Sequence, residues 1–390
     1  MTALTPKLAA GIASKVYEVR DQEDWNDIAT RGASIVDTTL DIDGNFTVDV
    51  AKGRFNGTSG GNILRSKSGF GYIASGVGTR QNEVLIAIRG TVTAYDWVTD
   101  AMQSVKIGPS GYPVHAGFET TFESFRPTIR EFLGAAKTKP TAIHVIGHSL
   151  GGALATLTAD FLAQQHISTR LYTFGCPRTG FESFSRNLTR QLGAENIFRV
   201  HHSADPVTMV PIFPFIHAPL NDNGYLLPWD GGAISFAAHK MGNYINSIGD
   251  SNWDAMKRAP SPGTFAQAES WLEAASKQGN VVKMYSAKSL WMIMKCMEWI
   301  LDMIGKGIGL ELLGAVTVVD VLAKLLYQGT LASIKVGSYV LSLINAIMKF
   351  LGRTVVAGTN ITVNFIGWVL NLLFNFISST AQLALQKLHQ

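Results

Sequence analysis

The residue with the clearest capacity for covalent chemistry in this 390-residue chain is Ser149. It sits in Gly147-His148-Ser149-Leu150-Gly151, a G-x-S-x-G pentapeptide. An apolar, strand-like run over 142–146 precedes it, and a helix-like run over 153–164 follows. Strand, sharp turn and helix are the context in which a serine is thrust out as a nucleophile. The glycines let the turn tighten, and the N–H of Leu150 can point at a developing oxyanion. The chain also carries a decoy, Gly57-Thr58-Ser59-Gly60-Gly61. No apolar strand precedes it and no helix follows it, so Ser59 reads as a hairpin or loop serine.

A serine nucleophile needs a base, and the base needs an orienting carboxylate. In α/β-hydrolases, whose nucleophile stands on an elbow of this kind, the chain order is Ser, then Asp or Glu, then His. The histidines after Ser149 are His166, His201, His202, His217, His239 and His389. His166 follows the elbow helix too closely and His389 lies at the chain end. His239, in Phe236-Ala237-Ala238-His239-Lys240-Met241-Gly242-Asn243-Tyr244, falls where the last loop of such a core belongs. Asp205 follows a strand-like run over 197–200, and a carboxylate just past the C-terminal end of a strand is placed for site work. Asp160 lies inside the elbow helix, and Asp222 and Asp230 lie in a loop-like insertion.

The elements that must position these residues alternate. Strand-like runs occur at 34–36, 71–74, 84–88, 142–146, 170–174 and 197–200, with helix-like runs at 118–133 and 153–165. That pattern predicts an α/β sheet with its chemistry at the strand ends. The first nineteen residues read as a helix of the fold rather than a signal peptide, because they lack a continuous apolar core. The pattern breaks at 258–263, a Pro/Gly-rich linker. The expected division is a catalytic domain over 1–260, a linker and connecting helix over 261–283, and an apolar helical module over 284–390.

Charged residues make up 16% of the chain, the net charge is +4, and the mean hydropathy is +0.15. This balance suits a lipid surface and calls for no nucleic acid. No metal-ligand spacing is present, and the chemistry calls for no cofactor. Cys176 and Cys296 are expected to be free, buried thiols. No charged residue occurs from Thr354 to Gln386, and about 20 apolar residues suffice to cross a bilayer. Asn360, Asn364, Asn371 and Asn375 share one helical face there, predicting a polar stripe packed against other helices in lipid. Runs at 290–301 and 308–326 are amphipathic.

Six segments carry a resemblance to a known family: Ile88-Arg89-Gly90-Thr91, His115-Ala116-Gly117-Phe118, Gly147 through Gly152, Phe174 through Gly180, Asp205-Pro206-Val207 and His239 through Tyr244. In this order the chain resembles the class 3 lipases, fungal-type lipases and phospholipases of the α/β-hydrolase fold. The resemblance implies an α/β-hydrolase core with Ser149 as nucleophile, Asp205 as orienting acid and His239 as general base. It also implies an oxyanion hole from the N–H groups of Thr91 and Leu150. The family's lid would run from Val92 to about Gln103, with Tyr95, Trp97 and Met102 among its apolar residues. The implied activity is cleavage of carboxylic esters of membrane lipids, as a phospholipase A or acylglycerol lipase, through an acyl-enzyme. The alternative is a membrane-inserting, toxin-like protein in which the hydrolase core is secondary. The apolar tail has no counterpart in the minimal family fold. A class 3 core with no signal peptide and membrane-seeking helices is similar in outline to bacterial lipases delivered by type VI secretion. The partners expected on that reading are a lipid substrate, a membrane surface, and a chaperone or secretion apparatus. The protein would be cytoplasmic in its producer and membrane-associated where it acts.

Overall fold

The computed structural model describes residues 2–19, 46–48, 53–59, 66–90, 105–136, 138–220, 224–230, 234–256, 258, 265–276, 286–304, 318–355 and 360–386. The chain opens with α1 (Pro6–Lys15), whose first turn is capped by the Thr5 side chain accepting from the Leu8 N–H. A 3₁₀ turn, Val16–Val19, continues it. Three strands follow, β1 (Phe46–Val48), β2 (Arg54–Ser59) and β3 (Ser66–Gly76), and then β4 (Glu83–Ile88). A small hairpin of β5 (Val105–Ile107) and β6 (Pro113–His115) leads into α2 (Ala116–Gly134). The alternating part is β7 (Ala142–His148), α3 (Leu150–Gln164), β8 (Thr169–Phe174), α4 (Glu182–Leu192), β9 (Ile197–His202) and β10 (Tyr225–Leu227). Helices α5 (Met241–Ile248) and α6 (Trp253–Met256) close this part.

These strands form one sheet in the order β1-β3-β4-β7-β8-β9-β10, with β2 paired to β3. Strands β4, β7, β8, β9 and β10 run parallel, while β1, β2 and β3 pair antiparallel. A period of two sorts the side chains. Val84, Ile86 and Ile88 face a layer with α2 and α3, whereas Leu85 and Ala87 face a layer with α1 and α5. Helices therefore cover both faces, as a parallel sheet requires, and the α/β expectation holds. The strand-like runs at 71–74, 84–88, 142–146, 170–174 and 197–200 all lie within strands. The run at 34–36 lies outside the described residues. Ser59 ends strand β2, opposite Ser66 of β3.

Five further helices are described: α7 (Phe265–Ser276), α8 (Ala287–Ile304), α9 (Val318–Ala332), α10 (Ile334–Phe350) and α11 (Val363–Gln386). Helix α7 packs on α8 and α10, and the Glu269 carboxylate accepts from the Tyr339 hydroxyl. It thus belongs to the bundle rather than merely leading to it. The apolar cluster under α2 and α3 continues without a break into α8–α11. Helix α11 lies against the turn Pro206–Met209 of the α/β part. A cavity of about 210 Å³ separates α8, through Trp291 and Met294, from Phe213 and Phe215.

Among the described residues, α11 alone is long and apolar enough to cross a bilayer, with a mean hydropathy of 1.3. Its packed face is Ile366, Val369, Leu370, Leu373, Phe374, Ile377, Ala381 and Leu385. The asparagine stripe points the other way: Asn360, Asn364, Asn371 and Asn375 are all exposed. This corrects the expectation that the stripe packs against other helices. Apolar side chains recur at three- and four-residue spacing on the opposite face, and burying them gains more than burying amides.

One buried feature predicts a pH effect on stability. Asp160 of α3 and Glu119 of α2 are both buried. Asp160 accepts from the Ser110 N–H through Oδ2, while its Oδ1 makes no hydrogen bond. Burial raises Asp160 to about 6 and, with help from Glu123, raises Glu119 to about 7. The folded state therefore holds these protons more tightly than the unfolded chain. Stability is present at low pH and falls as pH rises from about 4 through about 7. Asp160→Asn should remove part of that loss. Its stability relative to the wild type is expected to rise by roughly 1–3 kcal/mol between pH 4.5 and pH 8. Urea unfolding at the two pH values checks this.

Candidate active site

The register of the parallel strands brings four chain ends to one edge of the sheet. Ile88 lies opposite Gly147, His148 opposite Phe174, and Phe174 opposite Val200. Each strand is left at its C-terminal end by a segment with polar groups, which is where α/β sheets build their sites.

Ser149 occupies the turn between β7 and α3, with φ 58° and ψ −132°. This is a backbone region that favours glycine, so the turn is strained at a residue that is not glycine. The neighbours make room for it. A Cβ at Gly147 would overlap the carbonyl of Gly151, and one at Gly151 would overlap the carbonyl of Ile88. The Ser149 N–H donates to the Phe174 carbonyl at 3.0 Å, tying the turn to β8. Leu150 is the first residue of α3, so its N–H has no partner within the helix and carries the positive end of the helix dipole.

Asp205 follows β9 and caps the turn Pro206–Met209, its Oδ1 accepting from the Val207 N–H at 2.9 Å. His239 ends a short turn, Ala237–His239, just before α5. His239 Nδ1 donates to Asp205 Oδ2 at 2.8 Å, and the Ser149 hydroxyl lies 2.9 Å from His239 Nε2. A carboxylate can only accept, so Nδ1 carries the proton. In the neutral ring Nε2 is then the acceptor for the Ser149 hydroxyl. Ser149 is 1% exposed, and Asp205 and His239 are fully buried. Burial would raise the Asp205 carboxyl. His239, the Tyr244 hydroxyl and the Val207 N–H together hold it below the usual carboxylate range. The arrangement can ionise a serine hydroxyl towards a buried imidazole whose orientation a carboxylate fixes.

A family profile described as lipase (class 3) matches residues 85–215. That span holds the elbow, the acid and the strands between them. This part of the chain is similar to the class 3 lipases. The chain is 35% identical over 179 residues to a secreted mono- and diacylglycerol lipase 1 of Fusarium solani, covering 45% of this chain and 52% of that protein. It is 34% identical over 177 residues to a secreted mono- and diacylglycerol lipase A of Penicillium camembertii, covering 44% and 56%. It is 26% identical over 232 residues to phospholipase A1 EG1, chloroplastic/mitochondrial, of Oryza sativa subsp. indica, covering 48% and 53%. The chain thus spans about half the length of the curated relatives it matches. A solved mono- and diacylglycerol lipase from Aspergillus oryzae superposes with a TM-score of 0.41 at 24% identity, covering 60% of this chain and 82% of that one.

In this core, the three residues expected from sequence meet, and Leu150 lies beside them. Thr91, Tyr95, Trp97 and Met102, the expected oxyanion and lid residues, lie outside the described residues. The passed-over candidates lie elsewhere. Asp160 is buried beside Ser110, Asp230 and His166 are exposed, and His217 donates to the Thr208 carbonyl. Asp222 and His389 lie outside the described residues. The His115 motif is a cap, its Nδ1 accepting from the Phe118 N–H at the start of α2. Residues 225–227 are strand β10, with Tyr225 packed on Trp253. Cys176 and Cys296 are free and buried, as expected.

Sequence reasoning missed four side chains around the candidate site. Tyr244 donates its hydroxyl to Asp205 Oδ2 at 2.7 Å and accepts from the His202 N–H. His202 donates from Nδ1 to the Ala238 carbonyl at 2.6 Å. His148 Nε2 donates to the His239 carbonyl at 2.8 Å, and the Tyr17 hydroxyl meets His148 Nδ1 at 2.7 Å. His148 and Tyr244 sit inside quoted motifs, so their positions were visible. Their partners were not, because those lie 131 and 39 residues away.

Proposed function

We propose that this chain is a serine hydrolase that cleaves carboxylic esters of glycerolipids through an acyl-enzyme. The observation that carries the reading is the continuous bond chain from Ser149 through His239 to Asp205 at a strained strand–helix turn. Ser149 Oγ attacks the ester carbonyl as its proton passes to His239 Nε2. The negative charge moves to the carbonyl oxygen, where the Leu150 N–H and, by family resemblance, the Thr91 N–H stabilise it. The intermediate collapses by breaking the C–O bond to the glycerol. The leaving alcohol takes the proton from His239, and water repeats the sequence to free the fatty acid.

The relatives named for mono- and diacylglycerols and for phospholipase A1 action support a glycerolipid substrate. We favour a phospholipid over a triglyceride, because the helical tail has features suited to a bilayer. From residue 318 to the end the chain carries five basic residues and one acidic residue. At the turn between α9 and α10, Leu331 is 71% exposed and Ile334 95% exposed. Apolar tips beside basic charge suit an anionic lipid surface. The test is fatty acid release by the whole chain from phosphatidylethanolamine and phosphatidylglycerol vesicles against a triglyceride emulsion. Release from the emulsion alone would overturn the phospholipid reading, and release from neither would overturn the lipid reading. Leu331→Asp with Ile334→Asp should weaken binding to phosphatidylglycerol vesicles by about tenfold or more while sparing hydrolysis of a soluble ester. Vesicle co-sedimentation measures the first and a chromogenic ester the second. Delivery by a specialised secretion system, with a chaperone before it, belongs to the same proposal.

A further inference from the structure

The general-base histidine is gripped from behind by two other buried histidines. His202 Nδ1 donates to the carbonyl of Ala238, and His148 Nε2 donates to the carbonyl of His239 itself. A carbonyl can only accept, so each bond fixes where the ring proton sits. For His148 the proton is on Nε2, which leaves Nδ1 as an acceptor. The group that fills it is the Tyr17 hydroxyl at 2.7 Å. The Tyr17 ring meets the His148 ring edge-on at 5.8 Å, and the His148 ring lies 4.7 Å from that of His239.

Tyr17 has a second neighbour. A Cβ on Gly90 would come within 2.7 Å of the Tyr17 oxygen, and the Gly90 backbone is its hydrogen-bond partner. Gly90 follows the end of β4, one residue before the expected oxyanion donor Thr91. Its carbonyl is held in turn by buried Arg89, whose guanidinium donates to it at 2.8 Å. Burial pushes the Tyr17 phenol well above its usual range, with Gly90 and Arg89 opposing. It therefore stays a neutral donor at neutral pH. One hydroxyl, on the turn that ends the N-terminal helix, thus touches both the serine elbow and the β4 exit.

We propose that Tyr17 and His148 are positioning residues for the ester hydrolase. The Tyr17 hydroxyl locks His148 in its Nε2–H tautomer, and His148 through that proton holds the backbone of His239 in register with Ser149. This rests on the assignment of Ser149, His239 and Asp205 made above. The physical reason is geometric. A base works only when its nitrogen sits within hydrogen-bond reach of the proton it takes, and small misplacements are costly. His239 stands on a three-residue turn, which has little rigidity of its own. Asp205 orients its ring, whereas the two histidine-to-carbonyl bonds fix its main chain.

Tyr17→Phe keeps the ring and removes only the hydroxyl. It should lower kcat on a soluble chromogenic ester by roughly 10- to 100-fold with KM within about twofold. His148→Phe, which cannot donate to the His239 carbonyl, should lower kcat at least as far. His148→Gln restores a donor near the Nε2 position and should recover part of the loss. Because Tyr17 acts through His148, adding Tyr17→Phe to His148→Gln should cost little more, whereas a merely structural hydroxyl would add its full effect. Folding of each variant is followed by thermal unfolding. Should His148→Phe fail to fold, Tyr17→Phe and the cycle with His148→Gln decide the matter. Ser149→Ala is measured in the same assay. If it stays active, the site assignment is at fault. If it is inactive while Tyr17→Phe keeps wild-type kcat, or while the two substitutions are additive, the positioning role is wrong.

Discussion

Ser149→Ala is expected to abolish ester hydrolysis, lowering kcat by roughly 10⁴- to 10⁶-fold while leaving thermal unfolding unchanged. The size follows from what is lost. Without Oγ there is no acyl-enzyme, and only the oxyanion donors and substrate binding remain to help water attack directly. The strained turn at Ser149 is paid for by the surrounding glycines and the bond to the Phe174 carbonyl, none of which needs the hydroxyl. The variant should therefore fold. The contrast is Ser59→Ala, at the end of β2, which should retain wild-type rates. Initial rates on a short chromogenic ester and covalent capture by a fluorophosphonate, mapped by mass spectrometry, measure both. Loss of activity in Ser59→Ala with retention in Ser149→Ala would sink the elbow assignment.

Asp205→Asn is expected to lower kcat by about 10⁴-fold, the scale seen when a Ser-His-Asp arrangement loses its carboxylate. An amide in place of the carboxylate can turn its NH₂ towards His239 Nδ1. The imidazole would then carry its proton on Nε2 and face the Ser149 hydroxyl as a donor, which is the wrong state for a base. Tyr244→Phe isolates a smaller part of the same network. It removes the 2.7 Å donor to Asp205 Oδ2 but leaves His239 and Val207 in place. Burial would then lift the Asp205 carboxyl with one fewer group opposing it. Tyr244→Phe should lower kcat on a soluble ester by about tenfold or less at neutral pH. Added to Asp205→Asn it should cost little more, and a full additive loss would show that the tyrosine does not act through the carboxylate.

The sequence by itself was enough to find the sheet and the three residues that meet at its edge. A parallel sheet covered on both faces produces apolar strands with period-two sorting, and 84–88, 142–146 and 170–174 could be recognised for that reason. The elbow was legible because a serine between a strand and a helix demands glycines at fixed, local spacings. The order Ser149, Asp205, His239 follows from the strand order of the fold, so it too was written along the chain. What the sequence could not supply were contacts whose partners are distant in the chain and unremarkable in type. Tyr17 is one tyrosine among ten, and nothing local marks it. Only the packing of the N-terminal helix on the sheet brings its hydroxyl to His148. The same holds for the tail. Composition said that α11 is apolar, and helical spacing said that its asparagines share a face. Which face turns inward was decided by the competition between apolar and amide burial, and by the helices and the Pro206–Met209 turn against which α11 lies. That competition is settled by neighbours, and neighbours exist only once the chain has folded.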